Sequence, residues 1–168
     1  MKLIEMILTS ENVIKAQFRV TSNKGGAGID GMHVNELDEY MHNNWERIKE
    51  SILARKYKPA PVRRAEILKP NGGVRKLGIP TVLDRTIQQA IVQVLSPIFE
   101  DEFQERSYGF RPNRSCEQAV LKLLEYLNEG YEWIVDIDLE KFFDNVPQDK
   151  LMSYVGRVIC DPDTESLI

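Results

Sequence analysis

The stretch RAEILKPNGGVRKLGI, residues 64–79, carries the strongest β signal in the chain and decides its fold class. Its two halves, residues 64–68 and 74–79, contain strand-forming side chains on either side of Pro-Asn-Gly-Gly at positions 70–73. Asn and Gly accept the left-handed backbone that a tight turn needs. This arrangement predicts an antiparallel β-hairpin.

Helical patterns surround the predicted hairpin. Five segments carry apolar residues at helical spacing or open with a capping residue, and they begin at Ser10, Val34, Thr81, Ser115 and just after Pro147. Residues 133–139, WIVDIDL, alternate in character and predict a half-buried strand. Trp45 and Trp133 are expected in the core. Helices combined with a hairpin and a separate strand indicate an α+β fold.

Composition excludes several classes of protein. The chain has 168 residues, of which 42% are hydrophobic and 29% charged, which indicates one domain or two small lobes with a buried core. No apolar run approaches the roughly 20 residues that span a bilayer, so no membrane partner is expected. The first residues are too polar for a signal peptide. Cys116 and Cys160 form no Cys-x-x-Cys motif, which favours a reducing, cytoplasmic location.

The formal net charge of −4 hides an uneven distribution along the chain. Residues 47–89 contain eleven Lys/Arg and three acids, whereas residues 130–168 contain nine acids and three bases. A basic block followed by an acidic one suggests a surface for a polyanion beside a pocket that holds cations. The alternative is two solvated faces of opposite charge.

The acidic segment DIDLEKFFDNV, residues 136–146, is the most informative part of that second block. Asp136 and Asp138 share a face of the predicted strand because side chains alternate with period two. Carboxylates and neighbouring backbone carbonyls are hard oxygen ligands suited to Mg²⁺. The alternative is a strand with an acidic exposed face. The adjacent aromatic residues Phe142 and Phe143 need a surface to pack on, which favours a site.

The hairpin supplies the opposite charge. Lys69 near the turn and Arg75 on the return strand combine a mobile ammonium with a planar guanidinium, which suits a triphosphate. Arg63 and Arg64 extend the positive stripe and could follow a phosphate backbone. Such cations also serve solubility alone on many surface hairpins.

Two further features are poor candidates for a nucleotide-binding or metal-binding site. The glycine-rich loop at residues 23–31, NKGGAGIDG, lacks the Gly-Lys-Ser/Thr ending of a P-loop and is better suited to a flexible flap against another chain. His33 and His42 lie about 180° apart on a helix and cannot share a metal. We expect both at the surface or at a helix start.

Three segments together resemble the reverse transcriptases encoded by group II introns, also called maturases. They are residues 23–31; residues 67–80 with the Asp-Arg and Gln that follow at 84, 85 and 88; and SYGFRPNRS at 107–115 with VDIDLEKFFD at 135–144. In this order and spacing the motifs are highly specific, and they cover about residues 20–152. The same motifs also fit an alternative, which is a reverse transcriptase of a retron or a diversity-generating element.

The resemblance implies a right-hand polymerase. Residues 1–22 would be an N-terminal helical extension, residues 23–110 the fingers, and residues 111–168 the fingers–palm junction and the start of the palm. Such an enzyme is an RNA-directed DNA polymerase that uses two Mg²⁺ ions, an RNA template with a DNA primer, and dNTPs. Its other partner would be group II intron RNA, in a cytoplasmic ribonucleoprotein.

The resemblance also assigns site residues. In that family the first metal-binding aspartate lies five residues before an aromatic that crowds the sugar 2′ position, which selects Asp138 and Phe143. The Leu139 carbonyl would complete part of the metal site. The remaining nucleotide-binding positions would be Lys69, Arg75 and the backbone amides of Lys141 and Phe142. The RNA path would include Asn23, Lys24, Gly25, Gly26, Arg63, Arg64, Arg85 and Arg111.

The departures from the family pattern shape the expected activity. The second carboxylate motif, Tyr/Phe-Ala-Asp-Asp, is absent, as are the rest of the palm, the thumb and the maturase domain. We therefore expect a truncated chain that does not polymerise DNA alone. An RNA-binding module that aids splicing without chemistry is the alternative. We also expect a homodimer, formed through apolar surface left uncovered by the missing strands or through the outer helices of the fingers.

Overall fold

The secondary structure of the computed structural model is described for residues 2–68, 70, 72–139 and 141–168. The helices are α1 (Leu3–Ile7), α2 (Ser10–Ser22), α3 (Leu37–Leu53), α4 (Val82–Glu100), α5 (Cys116–Asn128), α6 (Phe142–Asn145), α7 (Gln148–Ile159) and α8 (Pro162–Glu165). The strands are β1 (Arg63–Leu68) and β2 (Val74–Ile79), and a 3₁₀ turn at Val34–Glu36 leads into α3. These elements confirm the predicted α+β fold. None of the described helices has both the length and the apolar character needed to cross a bilayer.

The hydrophobic core lies among the first four helices. Apolar side chains at helical spacing turn inward from each of them, and Ile159 of α7 joins from the far end of the chain. Ile7, Leu37 and Val82 are fully buried. Trp45 is packed at the edge of this cluster, as expected, and both histidines are exposed. We call this helical unit the core lobe.

Capping side chains fix where three helices begin. The Thr81 hydroxyl accepts a hydrogen bond from the Asp84 N–H at 3.1 Å, and Ser115 and Gln118 form a reciprocal capping box on α5. Both predicted helix starts are confirmed. The start of α2 differs by one position, because Thr9 rather than Ser10 accepts from the Asn12 N–H.

The hairpin is antiparallel, with Arg63 opposite Ile79 and Leu68 opposite Val74. It confirms the prediction and begins one residue earlier. Because facing residues in such a ladder point to the same side, Arg75, opposite Ile67, shares a face with Arg63. Arg64 lies on the other face. The hairpin therefore divides its arginines between two surfaces.

The last helix docks on the first. The Asp161 carboxylate accepts from the Ile4 N–H at 3.2 Å and from the Thr164 hydroxyl at 3.0 Å. Burial raises the pKa of Asp161, but the hydrogen bonds from Ile4, Thr164 and Asp163 outweigh it and bring that pKa below its usual value. Hydrogen bonds from Arg55 and Lys2 lower the pKa of Asp163.

Residues 116–154 contrast with the core lobe, and we call them the uncovered segment. Its helix α5 has no buried residue. The predicted strand at 133–139 is wrong for this structure, where those residues are exposed and form no ladder. A strand needs a hydrogen-bonded neighbour, and the sheet formed by the described residues contains β1 and β2 alone. Trp133 is 93% exposed, so its expected core position is also wrong.

Candidate nucleic-acid interface

The glycine-rich loop is held against the base of the hairpin by two arginines. Arg63 of β1 donates from Nε to the Ala27 carbonyl at 3.0 Å. Arg85, in the first turn of α4, donates from Nη2 to the Gly26 carbonyl at 2.7 Å. The structure thus brings together three segments that the sequence named separately as RNA-binding candidates.

Two glycines allow this close approach. A Cβ atom on Gly28 would lie 2.6 Å from the Thr81 Cα, a backbone contact that no side chain can relieve. A Cβ atom on Gly25 would lie 2.3 Å from Nη1 of Arg85. Packing against the backbone that opens α4 therefore requires glycine at position 28, whereas a side chain at position 25 would displace the flexible end of Arg85.

The remaining loop candidates face outward. Asn23 ends α2, and Lys24 follows it with a positive φ of 49°. Both residues are exposed, so the start of the loop presents polar side chains beside the arginine-held glycines. This arrangement gives the loop a fixed inner edge and an accessible outer one.

The cations of the hairpin differ in how they are used. The side chain of Arg64 is exposed and makes no hydrogen bond or ion pair with the part of the chain that the structure describes. Arg75 is exposed on the face that Arg63 shares, nearer the turn. Lys69 lies outside the described residues. Arg64 and Arg75 are thus available to an external anion, whereas Arg63 already serves the loop.

A buried polar network lies next to the start of α4, and most of it was not predicted from the sequence. The Asp84 carboxylate accepts from the Tyr57 hydroxyl and from the Thr81 hydroxyl, both at 2.6 Å, and from the Ala60 N–H at 3.1 Å. Burial and the hydrogen bond to Asp84 raise the pKa of Tyr57 well above its usual range. The network ties the connector before β1 to α4, and only its Thr81–Asp84 spacing was visible in the sequence.

Arg111 has an internal role in this structure. It donates to the Glu100 carboxylate and to the carbonyls of Gln104 and Ser107, and its side chain is 6% exposed. The same hydrogen bond lowers the pKa of Glu100. Arg111 therefore closes the loop after α4, and its guanidinium is occupied by contacts within the chain, which does not favour the expected place on the RNA path.

The described side chains of the acidic segment are accessible. Asp136, Asp138 and Leu139 are exposed, and Lys141 has a positive φ of 48° where the chain turns into α6. Phe143 is 90% exposed and meets Phe142 edge to face at 5.6 Å between ring centroids. The turn places both aromatic residues immediately after the carboxylates, as their order in the sequence required.

The donors in this segment fit Mg²⁺ in kind. The Asp138 carboxylate and the Leu139 carbonyl are hard oxygen ligands, and protein-bound Mg²⁺ commonly takes one or two carboxylates with waters and substrate phosphates. The described residues contain no group of three or more His, Cys, Asp or Glu side chains placed to hold a metal ion. This segment alone therefore contains donors for no more than part of a coordination shell.

Comparison with known proteins defines the class. Residues 67–168 match the family model described as reverse transcriptase (RNA-dependent DNA polymerase), and the chain belongs to that family. The match includes Arg75, Arg85 and the whole acidic segment. Members of this family are RNA-directed DNA polymerases and generally use Mg²⁺.

Particular relatives confirm the predicted resemblance to group II intron proteins. The chain is 34% identical to the group II intron-encoded protein LtrA of Lactococcus lactis over 99% of its own length and 28% of that protein. It is 34% identical to protein YkfC of Escherichia coli over 95% of its length and 44% of that protein. Nuclear intron maturase 1 of Arabidopsis thaliana is 30% identical over 53% of the chain and 12% of the relative. The chain thus spans less than half of each of these relatives.

Proposed function

We propose that this chain forms the fingers and the start of the palm of a group II intron reverse transcriptase, and that it binds intron RNA. The observation that supports this most directly is the glycine loop held by Arg63 and Arg85, with Arg75 exposed on the hairpin face that Arg63 shares and Arg64 exposed on the opposite face. A fixed backbone edge and exposed guanidinium groups on one hairpin suit the phosphates of a structured RNA. LtrA and the Arabidopsis maturase carry intron names, which favours intron RNA over a retron or a diversity-generating element.

In the whole protein, each candidate residue has a defined task. Asp138 and the Leu139 carbonyl would hold Mg²⁺, which when bound activates the primer 3′-hydroxyl and neutralises the charge on the leaving pyrophosphate. Arg75 and Lys69 would bind the triphosphate of the incoming dNTP. The backbone amides of Lys141 and Phe142 would orient it, and the Phe143 ring would exclude a 2′-hydroxyl. The template and the DNA primer would lie across the loop and the hairpin.

The chain by itself should not extend a primer. Its 168 residues contain no Tyr/Phe-Ala-Asp-Asp motif, so they provide one part of the carboxylate set that nucleotidyl transfer requires. Incubation with an RNA template, a DNA primer, dNTPs and Mg²⁺ should give no product above background. Extension by the purified chain would contradict this prediction.

RNA binding is testable on the chain as it stands. Fluorescence anisotropy with a structured intron RNA, titrated over salt, should show affinity that falls steeply with ionic strength. Arg64→Ala should weaken binding and reduce the slope of log affinity against log salt by about one, because one phosphate contact is lost. Arg47→Ala, which removes an equal charge from the exposed side of α3, is the matched control. Absence of binding at low salt would contradict the proposed RNA surface.

A splicing role without polymerisation is the second candidate. The names of the intron maturase relatives favour it, because a maturase function needs RNA binding and no exposed carboxylate. The discriminating variant is Asp138→Asn in the full-length protein. We expect this variant to lose primer extension and to retain intron RNA binding. If one polypeptide carries both functions, the variant should also retain splicing. The resulting ribonucleoprotein would be cytoplasmic, which fractionation with the intron RNA as marker would test.

A further inference from the structure

Two consecutive carbonyls of the glycine loop accept hydrogen bonds from different elements of the fold. Gly26 accepts from Arg85 of α4 at 2.7 Å, and Ala27 accepts from Arg63 of β1 at 3.0 Å. These partners lie 59 and 36 residues from their acceptors along the chain. The loop is therefore positioned by tertiary contacts with β1 and α4.

We propose that Arg85 is a positioning residue that latches this loop for RNA binding and does not itself contact phosphate. This inference rests on the proposed RNA-binding function. It reassigns a residue that the sequence placed on the RNA path. The latch would set the conformation in which the outer edge of the loop, with Asn23 and Lys24, meets the RNA.

The geometry around Arg85 supports a latch over a phosphate contact. Its Nη2 is engaged by the Gly26 carbonyl, and its Nε is buried without a hydrogen-bond partner in the described part of the chain. Its Nη1 occupies the space where a side chain at position 25 would stand. The half-buried guanidinium thus lies against the loop, whereas Arg64 of β1 is exposed.

Holding a glycine-rich loop in the free protein has a direct effect on affinity. Glycine loses more conformational freedom on ordering than any other residue. When internal hydrogen bonds have already ordered residues 25–28, RNA binding no longer has to supply that entropy. Arg85 would then raise RNA affinity without adding a charge contact, and this separates its effect from that of Arg64.

Two variants release the latch in different ways. Arg85→Ala removes the donor and one positive charge. Gly25→Ala keeps the charge but puts a methyl group 2.3 Å from Nη1, so the end of the flexible Arg85 side chain must move away. Arg47→Ala is the control for loss of charge alone, and circular dichroism establishes that each variant is folded.

The experiment combines loop dynamics with RNA binding on the full chain. Backbone ¹⁵N relaxation of residues 25–28 without RNA should give order parameters of about 0.85 in the wild type and below about 0.6 in both latch variants. Anisotropy with intron RNA should show about tenfold weaker binding for both variants, with the salt slope unchanged. If Arg85 only stabilised the fold outside the loop, its variants would not combine a mobile loop with weaker RNA binding and an unchanged salt slope.

Three results would overturn the inference. A salt slope reduced by about one in Arg85→Ala, with the loop still rigid, would make Arg85 a phosphate contact. A mobile loop with unchanged RNA affinity would show that the latch does not serve RNA binding. If the wild-type chain does not bind RNA at all, the proposed function itself fails, and the relaxation data alone then report on whether the latch exists.

Discussion

Helices α4 and α5 have the same design but different surroundings. Each begins at a hydroxyl cap and carries an apolar stripe at helical spacing. The stripe of α4 is buried in the core lobe, where Ile87 is 5% exposed, whereas Leu121 of α5 is 60% exposed. An apolar pattern therefore predicts which face of a helix can be buried. Whether that face is buried depends on whether another segment packs against it.

The largest expected difference between the two regions is in side-chain truncation. Leu37→Ala, at a fully buried position of the core lobe, should lower the free energy of unfolding by about 3 kcal/mol, through lost burial and a residual cavity. Leu121→Ala in α5 should change it by less than about 0.5 kcal/mol. Urea denaturation followed by circular dichroism measures both. Equal losses would show that α5 has a covered apolar face in solution.

The docking of α8 on α1 should give the next largest effect. Asp161→Ala should cost about 2 kcal/mol at pH 7, because the Ile4 N–H and the Thr164 hydroxyl lose their acceptor. The hydrogen bonds hold the folded-state pKa of Asp161 below the ordinary 3.8, so its contribution is full above that pH and is lost as the pH falls towards the folded-state pKa. The gap between wild type and variant should therefore narrow in acid.

Denaturant melts at pH 7, 4 and 3 would check this dependence. Asp136→Ala is the matched control, since that carboxylate is exposed in the uncovered segment and its loss should leave the unfolding curve almost unchanged at every pH. A gap between wild type and Asp161→Ala that widens in acid would contradict the assigned sign.

The two hydroxyl caps allow the same comparison with a smaller effect. Thr81→Ala should lower the global stability by about 1 kcal/mol or slightly more, because it removes the cap of α4 and a donor to buried Asp84. Ser115→Ala removes an equivalent cap from α5. We expect it to reduce helical signal near α5 without moving the midpoint of the main urea transition. A shift of that midpoint by Ser115→Ala would couple α5 to the core lobe.

The smallest stability effect, and a distinct readout, belongs to Trp133. Because its side chain is 93% exposed, Trp133→Ser should change the free energy of unfolding by less than about 0.5 kcal/mol. The uncovered segment is nevertheless the surface through which we propose that two copies associate. Light scattering should show a concentration-dependent dimer that Trp133→Ser weakens. A wild-type chain that stays monomeric at high concentration would count against the dimer.

The sequence predicted the elements whose causes are local. The hairpin depended on its turn residues and α4 on the Thr81–Asp84 pair, and both formed as expected. The strand at 133–139 failed because its formation depends on a neighbouring strand, which no local pattern supplies. The predicted core position of Trp133 was wrong for the same reason, because no strand or helix among the described residues covers its side chain.

The candidate site divides in the same way. Arg64 and Arg75 lie exposed on the hairpin that local patterning predicted. The hydrogen bond between Arg85 and the glycine loop was not predictable, because Arg85 and Gly26 are 59 residues apart. No local pattern in either segment indicates that the two are in contact. The family resemblance placed Arg111 on the RNA path, and only the folded chain shows it bonded to Glu100. The roles of Asp138 and Phe143 come from family resemblance and stay predictions.

The docking of Asp161 on the Ile4 N–H also bears on how the protein is made. A ribosome synthesises α1 before α8, and the carboxylate that binds the first turn of α1 follows 157 residues later. Until then Ile4 and Ile7, both buried in the finished fold, belong to a nascent segment without its final partner. Docking of α8 on α1 therefore has to wait until residue 161 has been made, and a translational pause placed just before Asp161 would prolong the exposure of the nascent chain to chaperones instead of helping it to fold.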